Sequence, residues 1–427
     1  MNGVEDCPAS RHVLADRLLS TESVTSPPPT AHAVERYTPP PERLRDGIAH
    51  CLSGGGFRAT LFHLGAVRRL NEFGILGQLK TITSVSGGSI LAAHLATIPW
   101  PLPVMSPEWE DVVARPIRAF AARNIRMPAI LKRFLPWNWF RTSTGVEALA
   151  ATYQKHLTPA LLTDLPDKPS FVFCSTDMVW GVDWIFEKGR LGDYQAGYAS
   201  PPSGYRLARA VAASSCFPPV FNPLPVNLRP GQLAGGLAPP GPERDACIRG
   251  LRLTDGGNYD NLGLEPVWKS HAVVLCSDGG GTFDFRPDTG FLRRLPRYLA
   301  IVDNQARALR KRWLIASFIN KEMQGTYWGI GSATESYEIP TSPAYSKEFA
   351  SQVIAKIRTD LDAFSAAEAA VLENHGYLLA DAAVKRHLPQ LLPANPPPIA
   401  LPHPWLPEAE AAEALRDSHK RRLLGRF

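Results

Sequence analysis

CLSGGGFRATLFHLGAVRRLNEFG, residues 51–74, reads as an apolar strand ending at Ser53, then three glycines, then a helix closed by Gly74. On that helix Leu61, Leu64, Val67, Leu70 and Phe73 recur every three residues and define a face to be buried. Gly54, Gly55 and Gly56 let the backbone approach a ligand closely and aim N–H groups at one point, beside the positive end of a helix. An oxyanion or a phosphate suits that cradle. A tight strand-to-helix turn needs the same glycines, so the motif alone leaves both readings open.

The pattern repeats downstream. TITSVSGGSILAAHLA, residues 81–96, is a strand from Thr81 to Val85 that runs into Ser86-Gly87-Gly88 and then a helix. This is the strand–turn–helix setting of a nucleophile elbow, in which small neighbours allow a strained turn to push a serine Oγ out of the sheet. The motif is S-x-S-x-G, with Ser84 where G-x-S-x-G has its first glycine. A lone serine in a small-residue turn is more often structural. Two such turns, each opening a helix, allow one to hold a nucleophile and the other its oxyanion donors.

A third piece is LRLTDGGNYDNLGLEP, residues 251–266, where Asp255 ends a strand and Gly256-Gly257 turn the chain away. A serine hydroxyl is a poor nucleophile until a base takes its proton, and a carboxylate in a water-poor site can do this without an imidazole. The glycines would let that carboxylate approach Oγ unobstructed; an ordinary D-G-G turn is the competing reading. ARAVAASSCFPPVF, residues 208–221, reads as small-residue packing between helix and sheet.

The remaining sequence frames these pieces. With 427 residues, 44% apolar and 20% charged, the chain is expected to fold around a substantial core. Its opening residues predict no signal peptide, and no run approaches the ~18 apolar residues of a membrane span, so a cytoplasmic protein is expected. The cysteines at 7, 51, 174, 216, 247 and 276 are scattered, without C-x-x-C or His/Cys clustering, so neither disulfides nor a metal site is expected. A net charge of +6 favours an anionic partner, whether phospholipid, nucleic acid or nucleotide.

Together the glycine loop, the serine elbow and the D-G-G turn resemble, in kind and order, the patatin-like phospholipase family. SGGGFRA, residues 53–59, is similar to the oxyanion loop of cytosolic phospholipase A2, while Ser53 stands where patatins proper tend to have aspartate. ASSCFPPVF resembles the small-residue block such proteins carry between serine and aspartate. The resemblance covers roughly residues 46–285 and implies a patatin-like three-layer α/β/α sandwich, with a central mostly parallel sheet and extra C-terminal helices. It implies Ser86 as nucleophile, Asp255 as general base and then acid, and the N–H groups of Gly55 and Gly56, less so Gly54, as the oxyanion hole. It also implies that Arg58 meets the substrate phosphate or supports the oxyanion, against the simpler reading of a solvent-facing arginine at a helix start. Catalysis would pass through an acyl-enzyme, without metal or cofactor. The implied substrate is a phospholipid membrane surface, reached peripherally from the inner face of the cell membrane; no DNA or RNA substrate is expected.

The expected division is a Pro-rich arm over 1–46 and a catalytic domain over 47–290, within which 101–170 is an active-site cap or a membrane-facing insertion. A helical extension over 291–390 packs on it, and a Pro-rich linker with a short basic helix fills 391–427. The insertion holds Ile130, Leu131, Phe134, Leu135, Trp137, Trp139 and Phe140 interleaved with Arg126, Lys132, Arg133 and Arg141, a pattern suited to a lipid interface. Three alternatives stand beside this reading. An α/β-hydrolase triad would draw on His271 or His375, whereas His63 and His94 read as core or supporting histidines. SDGGGTFDF, residues 277–285, is similar to a phosphate loop of the Hsp70 and actin ATPases. Finally, the basic runs RALRKRW and HKRRLLGRF read first as solvated helix faces. By analogy with bacterial members of the family that act as antiviral effectors, they also suit a cyclic-nucleotide activator; an oligomer is compatible with either.

Overall fold

In the computed structural model, which describes residues 45–104, 107–133, 143–283, 285, 287, 290–340 and 342–422, the apolar run before the glycines is strand β1 (Ile48–Leu52), buried along its length. Helix α1 (Gly56–Glu72) and strand β2 (Leu79–Val85) follow, then α2 (Gly87–Ala96). Three helices, α3 (Arg115–Ala121), α4 (Arg126–Arg133) and α5 (Thr144–His156), lead to β3 (Ser170–Asp177). Strands β4 (Asp183–Phe186), β5 (Leu191–Asp193) and β6 (Gly197–Ala199) form a meander. After it come α6 (Leu207–Ser215), β7 (Leu224–Pro225), α7 (Pro242–Arg249), β8 (Arg252–Asp255) and β9 (Val273–Asp278). The rest comprises α8 (Phe291–Ile319), β10 (Gln324–Gly329), α9 (Lys347–Gln352), α10 (Ala366–His387) and α11 (Glu408–Leu415). The Pro-rich arm up to residue 44 and the aromatic run from 134 to 142 lie outside the described residues.

The strands make one sheet in the order β10-β9-β1-β2-β3-β4-β5-β6, with β8 paired to β3 and β7 to β8. Pairings from β10 through β3 are parallel, and those of β4 to β8 are antiparallel. The expected parallel sheet is therefore the half that carries the glycine loop and the elbow; the other half is an antiparallel addition. Alternation along the strands assigns the two faces. Ala49 and Cys51 of β1 and Val274 and Cys276 of β9 cluster with Leu262, Leu264, Val267 and Leu314 of α8. Leu52 and Leu275 belong to the other, larger cluster with α1, α2 and α10. The result is the three-layer arrangement of helices on both faces of a sheet.

Helix α10 lies directly against α1, because a β-carbon at Gly65 would come within 1.9 Å of the Glu373 carbonyl oxygen and one at Gly376 within 1.9 Å of that of Phe62. This close contact is fastened by Arg69, fully buried, whose guanidinium reaches Asp381 at 2.6 Å. One difference from expectation concerns the helical extension over 291–390. It includes β10, whose Thr326, Tyr327 and Trp328 favour strand, and which extends the sheet beyond β9. The run is short and bracketed by Gly325 and Gly329, so helical periodicity on either side masked it.

Candidate active site

Strand directions bring the chemistry together. On β3, Cys174 pairs with both Val85 and Ile185, and Ser175 pairs with both Trp184 and Asp255. Since β4 occupies one edge of β3, β2 and β8 must share the other. β2 runs along that edge parallel to β3 and β8 runs antiparallel, so the two point at each other. Their C-terminal ends meet at Val85 and Asp255, one β3 residue apart in register. Ser86, the residue after β2, is thus delivered to Asp255. The Ser86 side chain is near enough to help hold the Asp255 carboxyl down.

Ser86 has φ 50° and ψ −114°, a strained conformation for a residue with a β-carbon. Its surroundings hold it there. The Ser86 N–H donates to Ser214 Oγ at 2.9 Å, Ser214 Oγ lies 2.9 Å from Ser89 Oγ, and Ser89 Oγ donates to Ser84 Oγ at 3.0 Å. Ser84 therefore replaces the usual elbow glycine without leaving a buried hydroxyl unsatisfied, since it also donates to the Val172 carbonyl. The glycines after Ser86 serve packing. A β-carbon at Gly87 would come within 2.0 Å of the Gly56 carbonyl oxygen, and one at Gly88 within 2.2 Å of that of Leu52. The start of α2 thus rests directly on the glycine loop.

That loop follows β1, which is parallel to and paired with β2, so both turns leave the same edge of the sheet. Open α/β sheets bind ligands at this edge. Gly55 and Gly56 have φ of 151° and 60°, which suit glycine alone. The Gly54 N–H is committed to the Asn261 carbonyl at 3.0 Å, and that of Phe57 to the Asp360 carbonyl at 2.9 Å. The N–H groups of Gly55 and Gly56 donate to no backbone carbonyl among the described residues. Two adjacent donors beside a helix start are thereby left without a backbone acceptor among the described residues.

Asp255 is 2% exposed, and burial pushes its carboxyl up to about 7, against the opposing pull of a hydrogen bond from the Gly257 N–H, at 2.8 Å, and of the nearby Ser86 side chain. Its strand position is fixed by Thr176 Oγ1, which donates to the Asp255 carbonyl at 2.8 Å. The role of the following glycine differs from the one expected. A β-carbon at Gly256 would come within 2.5 Å of the Cys174 carbonyl oxygen, so there the approach of the chain to β3 excludes a side chain, whereas one at Gly257 would come within 3.0 Å of Asp255 Oδ1, the clearance expected.

Arg58 does not face solvent. It is 2% exposed and spends its guanidinium on backbone carbonyls: Gly279 at 3.2 and 2.9 Å, Ala355 at 2.9 Å and Ile357 at 2.7 Å. It thus ties the start of α1 to the loop after β9 and to the segment after α9. The histidines are likewise engaged. His63, buried and lowered to about 3 by desolvation, bridges Ser277 Oγ and the Ser53 carbonyl beneath the glycine loop. His94 contacts the Val112 carbonyl. His271 bonds Thr81 Oγ1, near the start of β2, roughly 17 Å of strand from Ser86. His375, lowered to about 4 by burial, bonds the Ile330 carbonyl. In SDGGGTFDF, Asp278 takes Lys311 at 2.5 Å and Tyr327 at 2.7 Å, while a β-carbon at Gly279 would come within 2.7 Å of Ala59 Cα, so the loop is packed against α1.

Three supports escaped the sequence reading. Ser214 sits in the block taken as packing, yet it accepts the Ser86 N–H. Asn261 pins Gly54 from the loop after Asp255. Residues 355–361 wrap the glycine loop, accepting from Arg58, from the Phe57 N–H and, through the Leu361 carbonyl, from the N–H groups of Ile125 and Arg126. Only the first had a signal, a serine pair in an otherwise apolar small-residue run. Among the described residues no cluster of His, Cys, Asp or Glu is placed to hold a metal ion, and no helix is long and apolar enough to cross a membrane.

A family profile described as patatin-like phospholipase matches residues 50–268. Among solved structures, human GIVD cytosolic phospholipase A2 in complex with methyl gamma-linolenyl fluorophosphonate is 18% identical, over 59% of this chain and 43% of that one, with a TM-score of 0.38. Another structure of the human GIVD enzyme is 13% identical over 55% and 46%, with a TM-score of 0.37. VipD from Legionella pneumophila is 14% identical over 81% and 68%, with a TM-score of 0.32. The chain spans less than half the length of the human structures it matches. No curated protein matches.

Proposed function

The chain belongs to the patatin-like phospholipase family, and on that premise we propose that it is a phospholipase A type lipid acyl hydrolase, cleaving carboxylic esters of membrane phospholipids through Ser86 and Asp255. The observation that carries this reading is the register that brings a serine in a strained elbow to a buried carboxylate, with two glycine N–H groups on the neighbouring turn that donate to no backbone carbonyl among the described residues. Asp255 accepts the hydroxyl proton as Oγ attacks the ester carbonyl. The carbonyl oxygen becomes an oxyanion, met by the N–H groups of Gly55 and Gly56; a donor of this kind contributes about 10²–10³ in rate. Collapse breaks the ester bond, and the proton on Asp255 passes to the leaving lysolipid alkoxide. Asp255 then deprotonates a water that attacks the acyl-enzyme, releasing a fatty acid and restoring Ser86. A carboxyl near 7 is matched to both steps, because it exchanges its proton readily near neutral pH.

Access to lipid is supported by Met178 and Val179 at the end of β3 and by Phe217 and Val220 after α6, all exposed apolar side chains close in sequence to site elements. We assign them, together with the cationic chain, to peripheral contact with a membrane at its inner face. Arg58 is assigned a positioning role through the carbonyls it holds.

The test is fatty-acid release from mixed phospholipid vesicles by wild type, Ser86→Ala and Asp255→Asn. Both variants are expected to lose at least about 10³-fold, as removal of a nucleophile or its base does in other serine hydrolases. An unchanged rate in either refutes the dyad. Retained hydrolysis in the double variant His271→Asn, His375→Gln is expected; its abolition with the fold intact points to a triad instead.

A further inference from the structure

Helix α8, the loop Gly281–Phe283, the segment 355–359 and the C-terminal stretch around Arg421 enclose a cleft of about 1120 Å³ beside the glycine loop. That is room for a small polar ligand with part of an attached chain. Its floor is cationic. All four hydrogen bonds of buried Arg58 end on neutral carbonyls, and no carboxylate is paired with it among the described residues. Burial disfavours its charge most; Asp278 partly offsets this, and Arg421 and Arg307 are near enough that each further disfavours it. Arg307 is paired with Asp303, the one carboxylate among the described residues lining the cleft, and donates to the Gly281 carbonyl at 3.2 Å. Arg421 donates to Thr359 Oγ1 at 2.6 Å and has no carboxylate partner among the described residues.

Arg58, Arg307 and the exposed Arg421 thus meet in a cleft whose lining holds one carboxylate among the described residues, and their like charges repel. An anion would relieve that repulsion. Guanidinium forks match the tetrahedral oxygens of phosphate better than a single carboxylate does, through paired charge-assisted hydrogen bonds. We propose that the cleft is a binding site for a phosphate ester, with Arg307 and Arg421 as its direct donors and Arg58 as the buried charge beneath them. Asp255 is within reach of Arg307, which lowers its carboxyl, and of Asp303, which raises it, so an anion seated on Arg307 would weaken the first of these opposing influences. The phosphate has two sources, the headgroup of a bound lipid or a soluble phosphate ester.

The experiment titrates glycerol 3-phosphate into the full chain by calorimetry at constant ionic strength. It compares wild type, Arg421→Gln, the double variant Arg307→Gln, Arg421→Gln, and Lys188→Gln as a surface-charge control outside the cleft lining. Saturable binding is expected in wild type and in Lys188→Gln, weakened about tenfold in Arg421→Gln and lost in the double variant, as removal of charge-assisted hydrogen bonds predicts. Kinetic arms identify the source. If it is the headgroup, Arg421→Gln raises KM for a short-chain phosphatidylglycerol about tenfold more than KM for a neutral aryl ester. If it is soluble, glycerol 3-phosphate changes the neutral-ester rate saturably in wild type, with its half-effect concentration shifted about tenfold in Arg421→Gln. Absence of saturable binding, or binding that the arginine substitutions leave unchanged, overturns the proposal. The headgroup arm rests on the ester-hydrolase reading, whereas the calorimetry does not: a chain that binds but never hydrolyses sinks that reading and leaves the cleft assignment standing.

Discussion

Replacing Asp255 by asparagine should make the protein more stable as it makes it inactive, and the gain should depend on pH. Burial raises the Asp255 carboxyl from 3.8 to about 7 in the folded chain. An unfolded chain releases that proton near the ordinary carboxylate value, while the folded chain keeps it until about 7. Between those two values the folded state binds more protons, so wild-type stability falls as pH rises, and the loss is complete above the folded pKa. A shift of about three units corresponds to roughly 4 kcal/mol, an upper figure because part of it is relaxed by local water and side-chain adjustment. The substituted amide has no proton to lose, and its oxygen can still accept from the Gly257 N–H, which lies 2.8 Å from the aspartate oxygen. The advantage of Asp255→Asn over wild type should therefore be small near pH 4, grow towards neutrality and level off above about 7. Urea midpoints of the two proteins across that range measure it, and taking the difference cancels every other titrating group. A difference that does not change with pH refutes the assignment of Asp255 as a desolvated base.

Three further outcomes follow from the same geometry. The kcat/KM for a soluble ester should rise with pH through an apparent pKa near 7, since only ionised Asp255 can take the serine proton; a flat profile across neutrality contradicts it. Ser214→Ala removes the acceptor of the Ser86 N–H and a partner of Ser89, so a loss of about 1–3 kcal/mol in unfolding free energy is expected, with kcat lowered about tenfold. An unaltered kcat means that the elbow holds its strain without that bond. Gly88→Ala places a β-carbon against the Leu52 carbonyl and should lower stability by about 3 kcal/mol, read as a shift in the urea midpoint; wild-type stability means the α2 start has room to move.

What was legible in the sequence was the order of the pieces. Glycine loop, elbow and D-G-G turn announce themselves because each pairs small residues with a strand end, a local pattern that needs no knowledge of the fold. Their meeting was not legible, because it depends on β2 and β8 sharing one edge of β3 from opposite directions, a fact of register. The same holds for the supports. Arg58 follows the glycines and invited a solvent or substrate role, yet its partners lie more than two hundred residues away, at Gly279, Ala355 and Ile357. Asp360 wraps the glycine loop through its backbone carbonyl, which no side-chain pattern encodes. Ser84 looked like a departure from the elbow motif, and the serine hydrogen bonds beneath it explain how the departure is accommodated.

The central claim is that Ser86 is the nucleophile of an acyl-enzyme reaction. Incubating the full chain with a fluorophosphonate and locating the adduct by peptide mass spectrometry tests it most directly. One phosphonyl group on Ser86, with labelling abolished in Ser86→Ala and strongly slowed in Asp255→Asn, is the predicted result. Stoichiometric modification of another residue, or undiminished labelling of Ser86→Ala, would contradict it.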